Sequence, residues 1–564
     1  MKVVYTVERP VCQGKGVCPM WDLLIQQAQV IDGSGAPPCV ADVAIRGDTI
    51  AQVGAITSPQ ARVTIDGTGL TVGPGFIDLH THSDYTLLVN PLAESKVHQG
   101  VTTEVIGNCG TSPAPLGDEA YPIIRARMEQ QYQLDVSWRT LAGYLERLAE
   151  SGIAVNVVPI VGHGTVRSAV MGYAQRPPTA SELTCMQTLI ADAMTAGAFG
   201  LSTGLVYAPG CYADTNEIVE LAKAVGQAGG LYFSHIRGES DTVLEAAQEA
   251  ITVGERAGVA VQISHLKTAG RENWEKTPAL LDLLDRANAR GLDVTGDMYP
   301  YTAGATSLGA LLPPWVHEGG LAKLLPRLND RHVRARIRQD IEQGLDGWWN
   351  PARAAGWAGV QISRAPQHRI YQGMRLSDVA ALRQQDPLEA ALDILLAEEG
   401  NAGVVLFMMG EAQVQTILQH RRVMIGSDAG ATAPYGVLGG GHPHPRAYGT
   451  FPRVLGTYVR ERGVIALEEA IFRMTGLTAW RLGLTDRGLV RPGYKADLVI
   501  FDAQRIADQS TYDLPHAYPT GIRWVLVNGQ VILRDGERLP ALPGRVLLRA
   551  GDSLGRQVTP GTQA

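Results

Sequence analysis

The sequence of 564 residues is poor in three features that mark other protein classes. Its 6 cysteines are scattered along the chain, which excludes the disulfide framework of small secreted domains. It has no apolar run long enough to cross a bilayer, and its first residues lack the apolar core of a secretory signal. A net charge of −7 leaves no excess of basic residues for nucleic acid or an anionic membrane surface. We therefore expect a cytoplasmic protein.

Glycine, in contrast, is abundant, with 64 residues, as in folds with many tight turns. Between residues 73 and 488, helical stretches such as VLEAAQEAITVGERAG separate short apolar runs. The runs are GFIDLHTH, TTEVIG, VNVVPIVGH, AFGLSTG, GLYFSHI, AVQISHL, LDVTGDMYP and RVMIGSD. Eight strands with intervening helices predict an α/β protein with a (β/α)8 TIM-like barrel.

The rest of the chain predicts three additions to this barrel. Strand-like sequence at 20–72 and again at 489–564 predicts one small β-sandwich domain formed from both termini. Residues 310–400, before the last barrel strand, predict a lid-like insertion at the barrel mouth, and the run AGVVLFMMG lies beside the barrel. Residues 1–19 are expected to be a disordered extension. The sequence leaves the oligomeric state open.

The stretch GFIDLHTHSD gives the first indication of chemistry. Phe76, Ile77 and Leu79 have strand character, and side chains alternate between the two faces of a strand. His80 and His82 should therefore point the same way at the end of a strand. Such a pair of imidazoles is a candidate for two ligands of one metal site.

Four further strands end in side chains that can bind a metal. The second run is followed by Cys109, the fifth ends in His235, the sixth in His265 and the eighth in Asp428. Active residues of (β/α)8 barrels lie at the carboxyl ends of the strands, so these side chains should converge with the histidine pair. Imidazole, thiolate and carboxylate together are ligands that zinc accepts. The sequence therefore predicts a zinc site.

These strand ends resemble those of the metal-dependent amidohydrolase superfamily, and the terminal GYKADLVIFD and VLVNGQVI resemble its β-domain. Many members bridge two metals with a carboxylated lysine on the fourth strand, but this chain has no lysine between Lys96 and Lys223. Cys109 is the natural substitute. The motifs EVIGNCGTSPAP, VGHGTVR, LSTGLVYAPGCYA, ISHLKTAG and HPHPRAYGTFPRVLG narrow the resemblance to the N-acyl-D-amino-acid deacylase (D-aminoacylase) family.

The resemblance implies zinc-dependent hydrolysis of N-acyl-D-amino acids. It implies a tight zinc site at Cys109, His235 and His265 and a weaker one at His80, His82 and Asp428, with the thiolate able to bridge. Asp428 would act as general base and then general acid. Tyr207 is the candidate donor to the oxyanion, with His163 as the alternative.

The free carboxylate of such a substrate needs a cation and hydrogen-bond donors. Lys267 follows His265 by two residues and should face the same way if the strand stays extended. Arg446 and Tyr299 complete the expected carboxylate site, and Ser307 or Thr306 assists them. Two alternatives stay open, a cyclic amidase of the hydantoinase or dihydroorotase type and an inactive scaffold. The preferred D-amino acid is also open.

Overall fold

The computed structural model of the protein describes residues 4–5, 20–57 and 59–549. The β-strands, in chain order, are β1 (Val4–Tyr5), β2 (Trp21–Val30), β3 (Cys39–Arg46), β4 (Thr49–Gly54), β5 (Ala61–Asp66), β6 (Thr71–Pro74), β7 (Phe76–Asp78), β8 (Val101–Ile106), β9 (Asn156–Pro159), β10 (Val161–Gly162), β11 (Gly200–Gly204), β12 (Leu231–His235), β13 (Ala260–Ile263), β14 (Val294–Met298), β15 (Ala303–Ser307), β16 (Val360–Arg364), β17 (Gly403–Phe407), β18 (Val423–Ile425), β19 (Leu498–Phe501), β20 (Ile522–Val527), β21 (Gln530–Arg534) and β22 (Glu537–Arg538).

The α-helices are α1 (Thr86–Val89), α2 (Glu94–Val97), α3 (Ala120–Tyr132), α4 (Leu141–Ser151), α5 (His163–Met171), α6 (Ala180–Thr195), α7 (Thr215–Gln227), α8 (Val243–Ala257), α9 (Thr277–Ala289), α10 (Leu321–Asn329), α11 (Arg331–Gln343), α12 (Pro351–Ala355), α13 (Leu376–Leu382), α14 (Pro387–Ala397), α15 (Glu411–Leu418), α16 (Arg446–Arg453), α17 (Leu467–Met474) and α18 (Gly476–Leu482). Short 3-10 helices lie at Gly210–Tyr212, Arg271–Lys276, Leu308–Leu311, Pro314–His317, Trp357–Gly359, Arg369–Tyr371 and Gly436–Gly439, and a π-helix, Val454–Glu461, continues α16.

Two parallel sheets form the centre of the protein. One has the order β7-β8-β9, and the other has the order β10-β11-β12-β13-β14-β18. Each of the eight apolar runs identified in the sequence overlaps one of these strands, except VNVVPIVGH, which contains both β9 and β10. A parallel bridge between Thr81 and Ala429 joins the segments that follow β7 and β18. The first strand and the last strand of the series therefore lie side by side at their carboxyl ends.

The strands and helices of this region have sequences that suit their positions. Every residue of β8, β9, β11 and β14 is buried, as expected for parallel strands covered on both faces. Helix α6 begins with a capping box in which Thr179 and Glu182 satisfy each other's backbone N–H groups. Helix α8 ends at Gly258, whose φ of 66° is the left-handed conformation that glycine adopts without strain. The result is a mixed α/β fold whose strand ends share one edge.

Strands from both ends of the chain share a ten-stranded sheet. β19 pairs antiparallel with β6, and β6 pairs parallel with β2, so the C-terminal strands continue the N-terminal ones. Buried Leu23, Ile45 and Trp524 belong to the apolar cluster on this sheet. Of residues 1–19, only Val4–Tyr5 is described, as a strand paired with β5, and the remaining part of that expected extension lies outside the described residues.

Residues between β14 and β18 build a separate layer. β15, β17 and β16 form a three-stranded antiparallel sheet with its own apolar cluster, which includes Leu308, Leu392 and Val404. The run AGVVLFMMG contains β17, and it stands apart from the parallel sheets, as predicted from the sequence. Across the described ranges, no helix is both long and apolar enough to span a membrane.

Candidate active site

Four predicted donors from different strand ends meet in one buried cluster. The donor atoms of His80, Cys109, His265 and Asp428 all lie within 4.8 Å of one another. The Cys109 Sγ atom is 3.2 Å from His80 Nε2 and 3.4 Å from His265 Nε2. Asp428 Oδ1 is 3.4 Å from His80 Nε2. The thiol therefore occupies the middle of the cluster, between histidines from the first and sixth strands.

The two remaining predicted donors lie at the rim of this cluster. His82 Nε2 is 2.9 Å from Asp428 Oδ1, so both histidines of the HTH motif reach the same carboxylate. This confirms their convergence, although β7 itself ends at Asp78. His235 Nδ1 is 2.9 Å from His265 Nε2. Its other ring nitrogen, Nε2, is buried and has no hydrogen-bond partner among the described residues.

Three of the donors have a left-handed backbone that only glycine adopts without cost. The φ angles are 53° at Cys109, 35° at His265 and 51° at Asp428. Residues other than glycine in this region typically cost about 1–3 kcal/mol each, and they cluster at functional sites. The turn at each position bends the chain back after its strand, so that the side chain points toward its neighbours across the strand ends.

Two carboxylates that the sequence did not predict orient the histidines. They contact the ring nitrogens of His80 and His265 that do not face Cys109. Asp297, on β14, accepts a hydrogen bond from the backbone N–H of His265 at 2.8 Å, and the same oxygen lies 3.1 Å from His80 Nδ1. Glu239 Oε1 lies 3.1 Å from His265 Nδ1. Ligand histidines in metal sites commonly bind a carboxylate through their second nitrogen, which fixes the ring and its tautomer. The acidic residue inside LDVTGDMYP and the one after FSHIR were the available signals.

The cluster is electrostatically suited to a cation. Burial alone would raise the pKa of the Cys109 thiol and of the Asp428 carboxyl, yet nearby positive groups hold both well below their usual ranges. For Cys109 these groups are His80 and His265, and for Asp428 the first is Arg446. In turn, Cys109 and two aspartates raise the pKa of His80 well above its usual value, against the effect of burial. A metal ion can replace the protons that these histidines hold.

Tyr207 lies beside the donors, whereas one ring nitrogen of His163 belongs to a separate hydrogen-bond network. The Tyr207 ring centroid is 5.1 Å from that of His235, and its hydroxyl is 3.1 Å from Thr306 Oγ1. His163 Nε2 lies 2.9 Å from Glu217, which also pairs with buried Arg167. Nε2 of His163 therefore links α5 to α7, whereas Nδ1 is buried without a hydrogen-bond partner among the described residues.

Both predicted cations are buried and already paired with carboxylates. Lys267 Nζ lies 2.5 Å from Glu239 Oε1 and 2.8 Å from His265 Nδ1. Arg446 Nη1 lies 2.7 Å from Asp428 Oδ2. The ring of Tyr299 is shared between them, 4.6 Å from the Arg446 guanidinium carbon and 5.6 Å from Lys267 Nζ.

Two details differ from the expectations for the residues of the predicted carboxylate site. The alternation argument for Lys267 is wrong, because β13 ends at Ile263 and the left-handed turn at His265 breaks the extended chain. Lys267 is near the donors because of that turn. Of the two hydroxyl candidates, Thr306 contacts Tyr207, while Ser307 is exposed and lines a neighbouring cavity.

Comparison with known proteins agrees with this arrangement of side chains. Residues 63–533 match the model of the amidohydrolase family. The chain is 37% identical to a D-aminoacylase of Alcaligenes xylosoxydans xylosoxydans, over 94% of this chain and 98% of the relative. The chain belongs to the amidohydrolase family, among the N-acyl-D-amino-acid deacylases.

Two other relatives have names that specify acidic substrates. An N-acyl-D-aspartate deacylase from the same organism is 36% identical, over 94% of this chain and 96% of the relative. The crystal structure of an N-acyl-D-glutamate deacylase from Bordetella bronchiseptica, complexed with zinc and a phosphonate mimic of the reaction's tetrahedral intermediate, is 34% identical. It superposes with a TM-score of 0.80 and covers 94% of this chain and all of that one.

Proposed function

We propose that this protein hydrolyses the amide bond of N-acyl-D-amino acids to give a carboxylate and a free D-amino acid. The observation that carries the proposal is the buried cluster of His80, Cys109, His265 and Asp428 in a chain 37% identical to a D-aminoacylase. The inactive scaffold predicts the loss of donors, but all six predicted side chains are present. The cyclic amidase predicts a lysine on the fourth strand, and β11, with the sequence GLSTG, has none.

The metal proposed for this cluster is zinc. Cys109, His235 and His265 hold the tight ion, and His80, His82 and Asp428 form a weaker second site. The mixed thiolate, imidazole and carboxylate donors fit zinc. The buried Nε2 of His235 lies 3.7 Å from Glu239 Oε1 and has no hydrogen-bond partner among the described residues, so it is available to the ion. Bound zinc lowers the pKa of water to about 7 and polarises a carbonyl oxygen.

Asp428 moves the protons in this proposal. Its depressed pKa keeps the carboxylate ionised at neutral pH, so it can take a proton from the attacking water. It then delivers the proton to the departing nitrogen. Tyr207, whose pKa burial and the Cys109 charge raise well above the usual value, stays protonated and can donate a hydrogen bond to the developing oxyanion.

Arg446, Lys267 and Tyr299 bind the carboxylate of the substrate. Arg446 is the stronger candidate, because its planar guanidinium can hold Asp428 with one edge and a second carboxylate with another. The Tyr299 ring packs against both cations and fixes their distance from each other. Thr306 supports Tyr207 from the opposite side, and Ser307 serves the substrate from the neighbouring cavity.

The proposed architecture places this chemistry at the mouth of a (β/α)8 barrel formed by residues 73–488. The parallel pairings and the Thr81–Ala429 bridge support closure of the eight strands. Residues 20–72 and 489–564 supply the small β-domain. The ten-stranded sheet that both segments share supports this assignment. The segment 310–400 acts as the lid-like insertion.

Amine release from paired N-acetyl-D- and N-acetyl-L-amino acids, with zinc-loaded enzyme, tests the proposal directly. We expect turnover of the D forms alone. Turnover of a hydantoin in place of both would support the cyclic amidase. Absence of both tight zinc and turnover would support the inactive scaffold.

A further inference from the structure

A cavity of about 210 Å³ lies beside Tyr207. Tyr207 lines it, and the ring of Tyr207 also packs against His235, so the cavity adjoins the proposed metal site. Ser307 and Ala310 contribute to another part of its wall. The cavity therefore lies within reach of a group attached to the amide that this site would hydrolyse.

The wall of this cavity is electrically neutral. None of the described residues that line it is Lys, Arg, Asp or Glu. Burial lowers the pKa of His317, so its imidazole is uncharged at neutral pH, and burial raises the pKa of the Cys211 thiol to about 12. Val206, Leu312 and Leu395 contribute apolar surface to the wall, and polar side chains that carry no charge, such as Tyr207 and Ser307, contribute much of the rest.

We propose that this cavity takes an uncharged, apolar chain of the substrate and gives the enzyme a preference for neutral N-acyl-D-amino acids. The proposal rests on the function proposed above and adds the substrate class to it. Overall similarity does not decide the question, because relatives named for D-aspartate and D-glutamate are 36% and 34% identical, close to the 37% of the D-aminoacylase. A carboxylate in this wall would lose its hydration without gaining a cation.

The apolar chain has two sources, the side chain of the D-amino acid and the acyl group. Two substrate series separate them. The first series keeps the acetyl group and varies the side chain among D-Ala, D-Met, D-Leu, D-Asp and D-Glu. The second keeps D-Ala and varies the acyl group from acetyl to hexanoyl, with succinyl as the charged member. We expect kcat/KM to rise at least about tenfold with apolar length in one series and to fall for its acidic members.

Ala310 offers a matched pair of variants. It is half-buried on the cavity wall, where Ala310→Lys adds a cation and Ala310→Met adds a neutral chain of similar length. We expect Ala310→Lys, but not Ala310→Met, to shift the ratio of acidic to neutral kcat/KM upward by about tenfold or more in the series that occupies the cavity.

The outcomes separate this proposal from the proposed function. Absence of turnover with either hand of any substrate would overturn the function. Efficient D-specific turnover in which neither series favours its apolar members over its acidic ones would leave the function intact and overturn the neutral cavity. Identical substrate ratios in Ala310→Lys and Ala310→Met would also overturn it.

A second inference comes from a buried lysine beneath the donors. Lys96 is fully buried, and its Nζ atom lies 2.7 Å from Asp78 Oδ2, 2.6 Å from Ser427 Oγ and 2.7 Å from the carbonyl oxygen of Ala429. It therefore binds both neighbours of Asp428. The other oxygen of Asp78 accepts the backbone N–H of Ser427 at 2.8 Å, so the Asp78–Lys96 pair fixes this loop from two sides.

The geometry assigns Lys96 as a positioning residue for Asp428. The φ of 51° at Asp428 persists only if surrounding contacts determine it, and the contacts of Lys96 are on the residues directly before and after it. Asp78 lies two residues before His80 and couples the same pair to the first strand. This inference also rests on the proposed role of Asp428.

A charge-matched double variant tests it. Lys96→Met alone leaves the buried Asp78 carboxylate uncompensated and is expected to unfold readily. Asp78→Asn/Lys96→Met removes both charges, while the neighbouring Glu104, whose pKa burial raises to about 7, can take up a proton. We expect this variant to regain much of the Tm lost by Lys96→Met and to keep one tight zinc. Its kcat should remain about 100-fold low with KM within about threefold.

Zinc content and a crystal structure supply readouts that do not depend on turnover. We expect the backbone of Asp428 in the zinc-loaded double variant to leave the left-handed region or to become disordered. Wild-type kcat in the double variant, or an unchanged Asp428 conformation, would overturn the inference. A fall in kcat that matches a loss of tight zinc would mean that Lys96 only supports folding of the metal site. Wild-type protein without turnover would instead overturn the proposed function.

Discussion

The donor cluster and the neutral cavity lie side by side but are built in different ways. The donors come from short motifs at the ends of parallel strands, and each motif contributes one or two side chains at the end of its strand or shortly after it. The cavity wall comes from residues 173–211 and from the separate layer at 307–400, with no common motif. Chemistry is thus set locally by strand ends, whereas substrate choice depends on the packing of distant segments. Variants in the two regions should therefore have separable effects.

The largest effect is expected for Cys109→Ala. This change removes the central thiol of the cluster, which lies between His80 and His265. We expect loss of the tight zinc and a fall in turnover of about 1,000-fold, the equivalent of about 4 kcal/mol of transition-state stabilisation by the ion. Metal analysis after gel filtration, together with kcat, measures both. Full metal retention would contradict the bridging role of Cys109, and Cys211→Ala at the cavity wall is the control that should keep its zinc.

Asp428→Asn should separate metal binding from proton transfer. The amide keeps the shape of the carboxylate but cannot accept the proton of water, and general acid–base catalysis typically contributes about 100- to 10,000-fold. We expect the tight zinc to remain and kcat to fall by about 100- to 1,000-fold. Because the variant also loses its charge pair with Arg446, KM should be measured with kcat. Near-normal kcat would mean that another residue is the base.

The donor cluster shows how much of such a site a sequence can reveal. The eight strand positions followed from short apolar runs, and the donors followed from the residues at their ends, because both signals are local. The sequence signals for Asp297, Glu239 and Lys96 were weaker. Each lies within or after an ordinary run, and its partner is distant in sequence: Lys96 meets Ser427, and Asp297 meets His80. Only the tertiary fold brings these pairs together.

The sequence could not predict the cavity, for the same reason, and it predicted only part of the carboxylate site. The resemblance identified Lys267 and Arg446, but it did not indicate that Glu239 and Asp428 already pair with them. The left-handed turn at His265 was also hidden, because histidine carries no preference strong enough to predict it. Local sequence therefore specified which groups are available, and the fold specified which of them are paired.

Leu395→Ala should change the cavity without changing the metal site. Leu395 is buried, lines the cavity and belongs to the apolar cluster of the separate layer. Its truncation should cost about 2–5 kcal/mol of stability and enlarge the cavity. We expect a lower Tm, unchanged zinc content and a shift in kcat/KM toward longer apolar chains. Leu395→Met, which nearly conserves volume, is the control, and loss of zinc in Leu395→Ala would show that the two regions are not separable.

The smallest effect is expected for Glu182→Gln on α6, which lies outside both regions. This variant serves as the reference for a change that alters stability alone. The pKa of Glu182 is lowered to about 2 by its hydrogen bonds to Arg176 and to Thr179. A carboxyl whose pKa is depressed by folding stabilises the protein above its unfolded value of 4.5, and this contribution is lost as pH falls toward 2.

Glutamine can still complete the capping box, so Glu182→Gln removes mainly the charge. Both the ion pair and the cap are at the surface, and we expect a Tm lower by only about 1 °C at pH 7, with no change in zinc content or substrate ratio. The difference from wild type should narrow as the pH is lowered from 5 toward 3. Thr179→Ala removes the hydroxyl of the cap, which accepts from the backbone N–H of residue 182 and donates to the Glu182 carboxylate. Only the second of these bonds titrates, so only part of the deficit should vary with pH. A Glu182→Gln deficit that stayed constant or grew at low pH would place the stabilisation in the geometry of the cap and not in the carboxylate charge.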